Sequence, residues 1–121
     1  MKRLEKRSSE SVKFDIDCSA LLGATEAITT ITSIAADTNS GGALVFGTGV
    51  VNTVPITYYD SQGNARIAPT GSVVQVQISA GTLPTGIGSL DYVIRCKVTT
   101  NLNPAIEAVV VLRLNDTPTA V

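Results

Sequence analysis

The sequence predicts an all-β protein, an immunoglobulin-like antiparallel β-sandwich of about seven strands, with a small β-barrel as the alternative. Hydrophobic residues make up 44% of the 121 residues, but aromatic residues only 4%, and there is no tryptophan. The core must therefore be built from Val, Ile, Leu and Ala, which favour pleated sheet. Short apolar runs alternate with turn-forming stretches, and no run has the length and period of a helix. Because the tryptophan of true immunoglobulin domains is missing, only the architecture is predicted.

The last third of the chain, residues 72–114, carries the clearest strand pattern. Three runs of β-branched and aliphatic residues are separated by the turn-forming stretches GTLPTGIG and NLNP. A period of two predicts strands with one buried face, and three such runs in succession predict an antiparallel meander. The predicted core face comprises Val74, Val76, Ile78 and Ala80, then Leu90, Tyr92, Ile94, Cys96 and Val98, then Ile106, Ala108, Val110, Leu112 and Leu114.

Residues 1–11 are polar and charged, and we expect them to form a basic N-terminal arm outside the domain. Residues 1–13 hold five basic and two acidic residues, net +3, and the remainder holds four basic and eight acidic residues, net −4. The arm is either a frayed tail or a segment that orders on a neighbouring subunit. Its candidate interface residues are Lys2, Arg3, Leu4, Lys6 and Arg7.

The single sandwich domain is predicted to span residues 12–115. Residues 12–18 alternate as a first strand, with Asp15 and Asp17 on its solvent face. Residues 26–36 are rich in Ile and Thr and predict a second strand, whose imperfect alternation indicates a bulge. Residues 116–121 form a polar segment that we expect to be a loose C-terminal tail.

The middle segment, residues 37–71, predicts further strands around a turn with Gly63 at its tip. Pro55 cannot donate to a central ladder, so its strand belongs at an edge, or Pro55 itself at a bulge. Tyr58 and Tyr59 are adjacent, so they point to opposite faces, with one expected inward and one outward. An outward tyrosine on an edge strand is either an interface anchor or a simple rim aromatic, and both residues are candidate interface residues.

Residue chemistry predicts no catalytic residue, cofactor site or metal site, so we do not expect an enzyme. The chain has no histidine, so the Ser-His-Asp and Cys-His arrangements cannot be assembled. No apolar stretch approaches the roughly 20 residues that span a bilayer, and no aromatic platform accompanies the basic arm, so neither membrane nor nucleic acid is an expected partner. Without an export signal, we expect Cys18 and Cys96 to be buried, reduced thiols.

Four motifs resemble a family of small bacteriophage proteins, the phage fibre–tail adaptor and related virion proteins. The motifs are FDIDCSALLG, VVQVQISAGT, YVIRCKVTT and EAVVVLRL. Matching residues are Ile16, Asp17, Ser19, Leu22 and Gly23, then Ile78, Ser79, Gly81 and Thr82, then Tyr92, Ile94, Cys96, Val98, Thr99 and Thr100, then Glu107, Val110, Leu112 and Leu114. The chain departs from the family in a longer middle segment, residues 37–71, and in the turn NLNPA.

The resemblance implies a non-enzymatic virion structural protein. It also implies that the partners are other virion proteins of the tail, baseplate or fibres. Such a protein would act as an adaptor in multiple copies set by particle symmetry, in a particle assembled in the host cytoplasm. A capsid cement or decoration protein is one alternative. A stand-alone carbohydrate- or surface-binding sandwich is another, against which the scarcity of aromatic residues argues.

Overall fold

A computed structural model describes residues 4–116, which fold into ten strands and one short 3-10 turn at Ser19–Leu21. The strands are β1 Leu4–Arg7, β2 Val12–Asp17, β3 Ile28–Ala36, β4 Leu44–Phe46, β5 Val50–Val51, β6 Ile56–Tyr59, β7 Ala65–Ala68, β8 Val73–Ala80, β9 Ser89–Thr100 and β10 Ile106–Asn115. The all-β prediction is confirmed, and the additional strands come mainly from the middle segment and the N-terminus. Residues 4–116 contain no helix with the length and apolar character that crossing a bilayer requires.

The strands are divided among three sheets. The long sheet has the order β1-β10-β9-β3, and the short sheet has the order β2-β8-β4, with β5 also paired to β8. The third sheet is the two-stranded hairpin of β6 and β7. The small barrel considered as an alternative would need one sheet closed on itself, and the described strands are not arranged in that way.

The last third of the chain does not form the predicted meander. β9 and β10 pair as a long antiparallel hairpin, from Ile106 opposite Val98 to Asn115 opposite Ser89. β8, however, pairs with β2, β4 and β5 in the short sheet. The stretch between β8 and β9 is long enough to carry the chain from one sheet to the other. β8 and β9 are therefore consecutive in the chain but lie on opposite sides of the core.

The long and short sheets share one hydrophobic core. Its buried residues are Ile16, Cys18, Ile28, Val74, Val76, Ile78, Tyr92, Ile94, Cys96, Val98, Ala108, Val110, Leu112 and Leu114. All of the predicted core face of β8 to β10 is in this set except Ala80, Leu90 and Ile106. Fully burying one Val, Leu or Ile side chain contributes about 1.5–3 kcal/mol to stability. The alternating apolar residues of β8, β9 and β10 are therefore the main source of stability.

The N-terminal residues that the structure describes belong to the domain. β1 pairs in parallel with β10, with Leu4 opposite Leu112 and Arg7 opposite Asn115. Residues 4–7 are therefore an edge strand of the long sheet, at a place where an arm outside the domain was expected. Residues 1–3 and 117–121 lie outside the described residues.

β3 forms the opposite edge of the long sheet and contains the predicted irregularity. Its register against β9 shifts between Ile28 and Thr30 and again between Ile31 and Ser33. Gly49 lies against its inward side, because a Cβ at Gly49 would stand 3.0 Å from the Cδ1 atoms of Ile31 and Ile34. The connection from β4 to β5 therefore packs on the inward side chains of β3 without pairing with its backbone.

Candidate protein-interaction site

The hairpin of β6 and β7 stands outside the two-sheet core. Tyr58 lies opposite Arg66, and Tyr59 lies opposite Ala65. Thr57 lies opposite Ile67, so Tyr59 and Ile67 are diagonal neighbours on one face of the hairpin. Neither β6 nor β7 pairs with another described strand. We call the surface formed by Tyr59 and Ile67 the hairpin face.

The hairpin face is the most exposed apolar surface on a paired strand in the described part of the chain. Tyr59 is 72% exposed and Ile67 68% exposed, and Val54 before β6 is 64% exposed. Tyr58 is on the opposite face and is still 40% exposed, so the expectation that one tyrosine packs inward is wrong. The face of Tyr58 is covered near the base of the hairpin, where Ala68 is buried and Ile56 half-buried, but it is not covered at Tyr58.

Asp60 holds the turn at the tip of the hairpin. Its Oδ1 accepts hydrogen bonds from the amides of Gln62 at 3.0 Å and Asn64 at 2.9 Å, and its Oδ2 accepts one from Arg66 Nε at 3.0 Å. Gly63 has a φ of +81°, in the left-handed region that favours glycine. The Asn64 amide is the main reason why the pKa of Asp60 is lowered, with smaller contributions from Arg66 and Gln62.

Asn52 holds the base of the hairpin. Its side chain is buried, and its Nδ2 donates to the carbonyls of Val54 and Pro69, each at 2.9 Å. Its Oδ1 accepts from the amides of Ser72 at 3.0 Å and Val73 at 2.9 Å. One amide side chain therefore joins both legs of the hairpin to the start of β8. The hairpin is fixed at its base and its tip by polar groups, while its apolar face remains open.

The N-terminal candidates do not form one basic surface. Lys2 and Arg3 lie outside the described residues. Leu4 is half-buried and packs against the core, and Arg7 is exposed. Lys6 is buried, and its Nζ donates to the carbonyls of Arg7 at 3.0 Å and Glu10 at 2.9 Å.

The buried position of Lys6 changes its role. Burial lowers its pKa, although the charge of Glu10 acts in the opposite direction. Since its ammonium group already closes the turn after β1, Lys6 is a structural residue and does not fit the predicted role of a surface charge for a partner.

An open pocket of about 380 Å³ lies at one end of the molecule, beside Glu26. The carboxylate of Glu26 accepts hydrogen bonds from the hydroxyl of Thr100, the amide of Gly23 and the side chain of Asn103. The Thr100 bond is the main reason why its pKa is lowered. These bonds attach the turn after β9 to the segment before β3, so the carboxylate serves the fold.

Cys18 and Cys96 are buried, as predicted, and both are free thiols. Burial raises the pKa of Cys18 to about 12 and that of Cys96 to about 11. At neutral pH both are therefore protonated and unreactive parts of the core. Among residues 4–116, no group of three or more Cys, Asp or Glu side chains is placed to hold a metal ion.

Comparison with known proteins gives no relative: no family model, no curated protein and no solved structure matches this chain. The candidate interaction site on the hairpin is therefore inferred from the structure of this chain alone. Sequence reasoning found Tyr58 and Tyr59 but missed Ile67 and Asn52. The cross-strand position of Ile67 could have been counted from the turn at Gly63, whereas nothing in the sequence marks Asn52 as a buried anchor.

Proposed function

We propose that this protein is a non-enzymatic structural protein of a bacteriophage particle, in which it links the tail or baseplate to fibres or to neighbouring tail proteins. The placement in a phage particle rests on the resemblance of the four sequence motifs. The observation that supports a docking role is the hairpin, which is fixed at both ends and presents Tyr59 and Ile67 to solvent. Tyrosine is enriched among residues that dominate binding energy at protein interfaces. An element that is already ordered loses little conformational entropy on binding, which favours a docking role.

We also infer an immunoglobulin-like arrangement of the two sheets. The short sheet, with the order β2-β8-β4, faces the long sheet, with the order β1-β10-β9-β3, and both sheets contribute to one core. Cys18 directly follows β2 and Cys96 lies in β9, one on each sheet. This division between sheets supports the inference, because immunoglobulin domains also place one cysteine on each sheet, although that pair is a disulfide and both thiols here are free.

The placement of the protein in the particle can be tested by immunogold electron microscopy on particles of the phage that encodes the chain. The adaptor proposal expects the label at the tail or baseplate. Label over the head would overturn it in favour of a capsid cement protein. Particles without label would overturn the proposal of a virion protein altogether.

The role of the hairpin is tested by replacing Tyr59 and Ile67 together with serine in the phage. Particles with this variant should lose fibres or neighbouring tail proteins, as seen by microscopy and by protein composition. The control is Val45→Ser, which removes a 56% exposed apolar side chain from β4 in the short sheet. Complete tails with the double variant would contradict docking through the hairpin face.

A further inference from the structure

β3 is a long sheet edge without the usual protection. It has nine residues, Ile28–Ala36, and among the strands of residues 4–116 it pairs with β9 alone. Its sequence ITTITSIAA contains no charged residue and no proline. Proteins commonly protect such edges with charges, prolines or short strands, because an open row of backbone groups pairs readily with another strand.

The other edges of the long and short sheets differ from β3. β1 has four residues, of which three are charged. β2 carries Lys13, Asp15 and Asp17, and β4 and β5 have three and two residues. β3 is interrupted by two bulges, and both lie before Ser33, so the register from Ser33 to Ala36 is regular.

The hydrogen bonding of Asp37 shows which backbone groups face outward. The Asp37 amide donates to the carbonyl of Val93 in β9 at 2.8 Å. Bonding directions alternate along an antiparallel strand, so the amides and carbonyls of Ala36 and Ile34 point to the free side. The regular half of β3 therefore offers two residues with the spacing that a further antiparallel strand needs.

We propose that this edge pairs with β3 of a second copy of the chain, antiparallel and centred on Ala35. Ile34 of each copy then lies opposite Ala36 of the other, and the two symmetric pairs exchange about four hydrogen bonds. The side chain at the two-fold axis is that of Ala35, which is small, exposed and uncharged. The long sheets of two copies become one continuous sheet.

Polar complementarity favours a second copy over an unrelated strand. With Ala35 at the axis, Ser33 of one copy lies opposite Asp37 of the other. The Asp37 carboxylate already accepts hydrogen bonds from Arg95 of its own copy at 3.0–3.2 Å. A carboxylate has lone pairs for a further donor, so the serine hydroxyl of the other copy can bind it as well, and symmetry forms this contact twice. The near-neutral formal charge of −1 gives two copies little reason to repel each other.

Sedimentation equilibrium over a wide range of protein concentration tests the pairing. The average mass should rise from the chain mass of 12.5 kDa towards twice that value. A mass that stays at 12.5 kDa up to about 1 mM, the weak limit of specific association, overturns the proposal.

The decisive variant is Ala35→Glu, which places the carboxylates of the two copies directly opposite each other at the two-fold axis. Within its own copy, residue 35 lies opposite Arg95, so the substitution suits the fold. The dissociation constant should rise by about fivefold, since like charges directly opposite are destabilising. The control is Gln77→Glu, which adds the same charge on the exposed face of β8.

Equal dissociation constants for the two variants would overturn pairing through β3. The hairpin face is a different surface, so Tyr59→Ser with Ile67→Ser should leave the dimer mass unchanged. If the protein does not dimerise, the proposed docking role of the hairpin is still tested separately, by the double variant in the phage.

Discussion

Two antiparallel hairpins in this protein, β9–β10 and β6–β7, have similar pairing and opposite surroundings. In β9–β10 every second side chain is buried from Tyr92 to Thr100 and from Ala108 to Leu114, and Ile94, Leu112 and Leu114 have no exposed surface. In β6–β7 both tyrosines are exposed, although the strands also alternate. β9–β10 is covered by the short sheet, whereas no sheet covers β6–β7.

The difference shows that pairing and burial have separate causes. A two-stranded hairpin by itself is marginal in water, so β6–β7 needs other support. That support is polar and is located at the base, through Asn52, and at the tip, through Asp60. We therefore expect apolar burial to decide the stability of β9–β10 and hydrogen bonds to decide the order of β6–β7.

The largest effect is expected from Leu112→Ala in β10. Removing a fully buried leucine side chain leaves a cavity between the sheets and should lower the free energy of unfolding by about 2–5 kcal/mol. Denaturant titration measures the loss. Val45→Ala on β4 is the control, because its side chain is 56% exposed and its truncation should cost far less. Equal losses would mean that the core is not the main source of stability.

Asn52→Ala should have the next largest effect. It removes the side-chain acceptor of the Ser72 and Val73 amides. The Ser72 amide keeps the Pro69 carbonyl at 3.2 Å, so the expected loss is about 1–3 kcal/mol, the cost of one buried group without a partner. Amide hydrogen exchange in β6 and β7 should also accelerate more than in β9. Asn64→Ala, at an exposed position of the turn, is the matched control. Unchanged exchange in the hairpin would argue against Asn52 as its anchor.

Two tyrosine-to-phenylalanine variants compare the two hairpins, because each variant removes a single hydroxyl group. The Tyr92 hydroxyl donates to the carbonyl of Gly42 at 2.6 Å, so Tyr92→Phe should cost about 0.5–1.5 kcal/mol. Tyr59→Phe removes a hydroxyl from a side chain that is 72% exposed and should change stability by less than about 0.5 kcal/mol. Thermal unfolding of both variants checks the difference. The reverse order would contradict the assignment of Tyr59 to an open surface.

The smallest effect is local and depends on pH. The pKa of Asp60 is lowered, chiefly by the Asn64 amide, so its carboxylate stabilises the turn fully above its ordinary value of 3.8. This contribution is lost as the pH falls through the lowered pKa. The amide proton shifts of Gln62 and Asn64 should therefore titrate with a midpoint below 3.8.

Two variants control this titration. Arg66→Gln should keep the midpoint below 3.8, because Asn64 makes the larger contribution. Asp60→Asn should abolish the titration of these amide shifts. A midpoint at or above 3.8 in the unsubstituted protein would contradict the role of the carboxylate in the turn.

The positions of strands β2, β3, β8, β9 and β10 could be predicted, because one buried face gives each of them a recurring apolar pattern. The sheet that β8 joins could not be predicted, since alternation shows which side of a strand is buried but not which strand lies beside it. β1 was missed for a related reason. Its sequence LEKR has one apolar residue, and the strand depends on the open edge of β10.

The candidate site was predicted only in part. Adjacent tyrosines and the turn at Gly63 indicated a hairpin with an aromatic residue, but the exposure of Tyr58 depends on the absence of a covering sheet. The basic arm was predicted from charge, which does not show that Lys6 turns inward to satisfy two carbonyls.

The sequence by itself determined an all-β chain with an aliphatic core, because period-two alternation and β-branched residues act within each strand. It also determined the absence of histidine chemistry. Only the tertiary structure decided which strands share a sheet, that Asn52 is buried, that the hairpin is left uncovered and that β3 is an open edge. These features arise from contacts between residues far apart in the chain, and a local pattern carries no information about such partners.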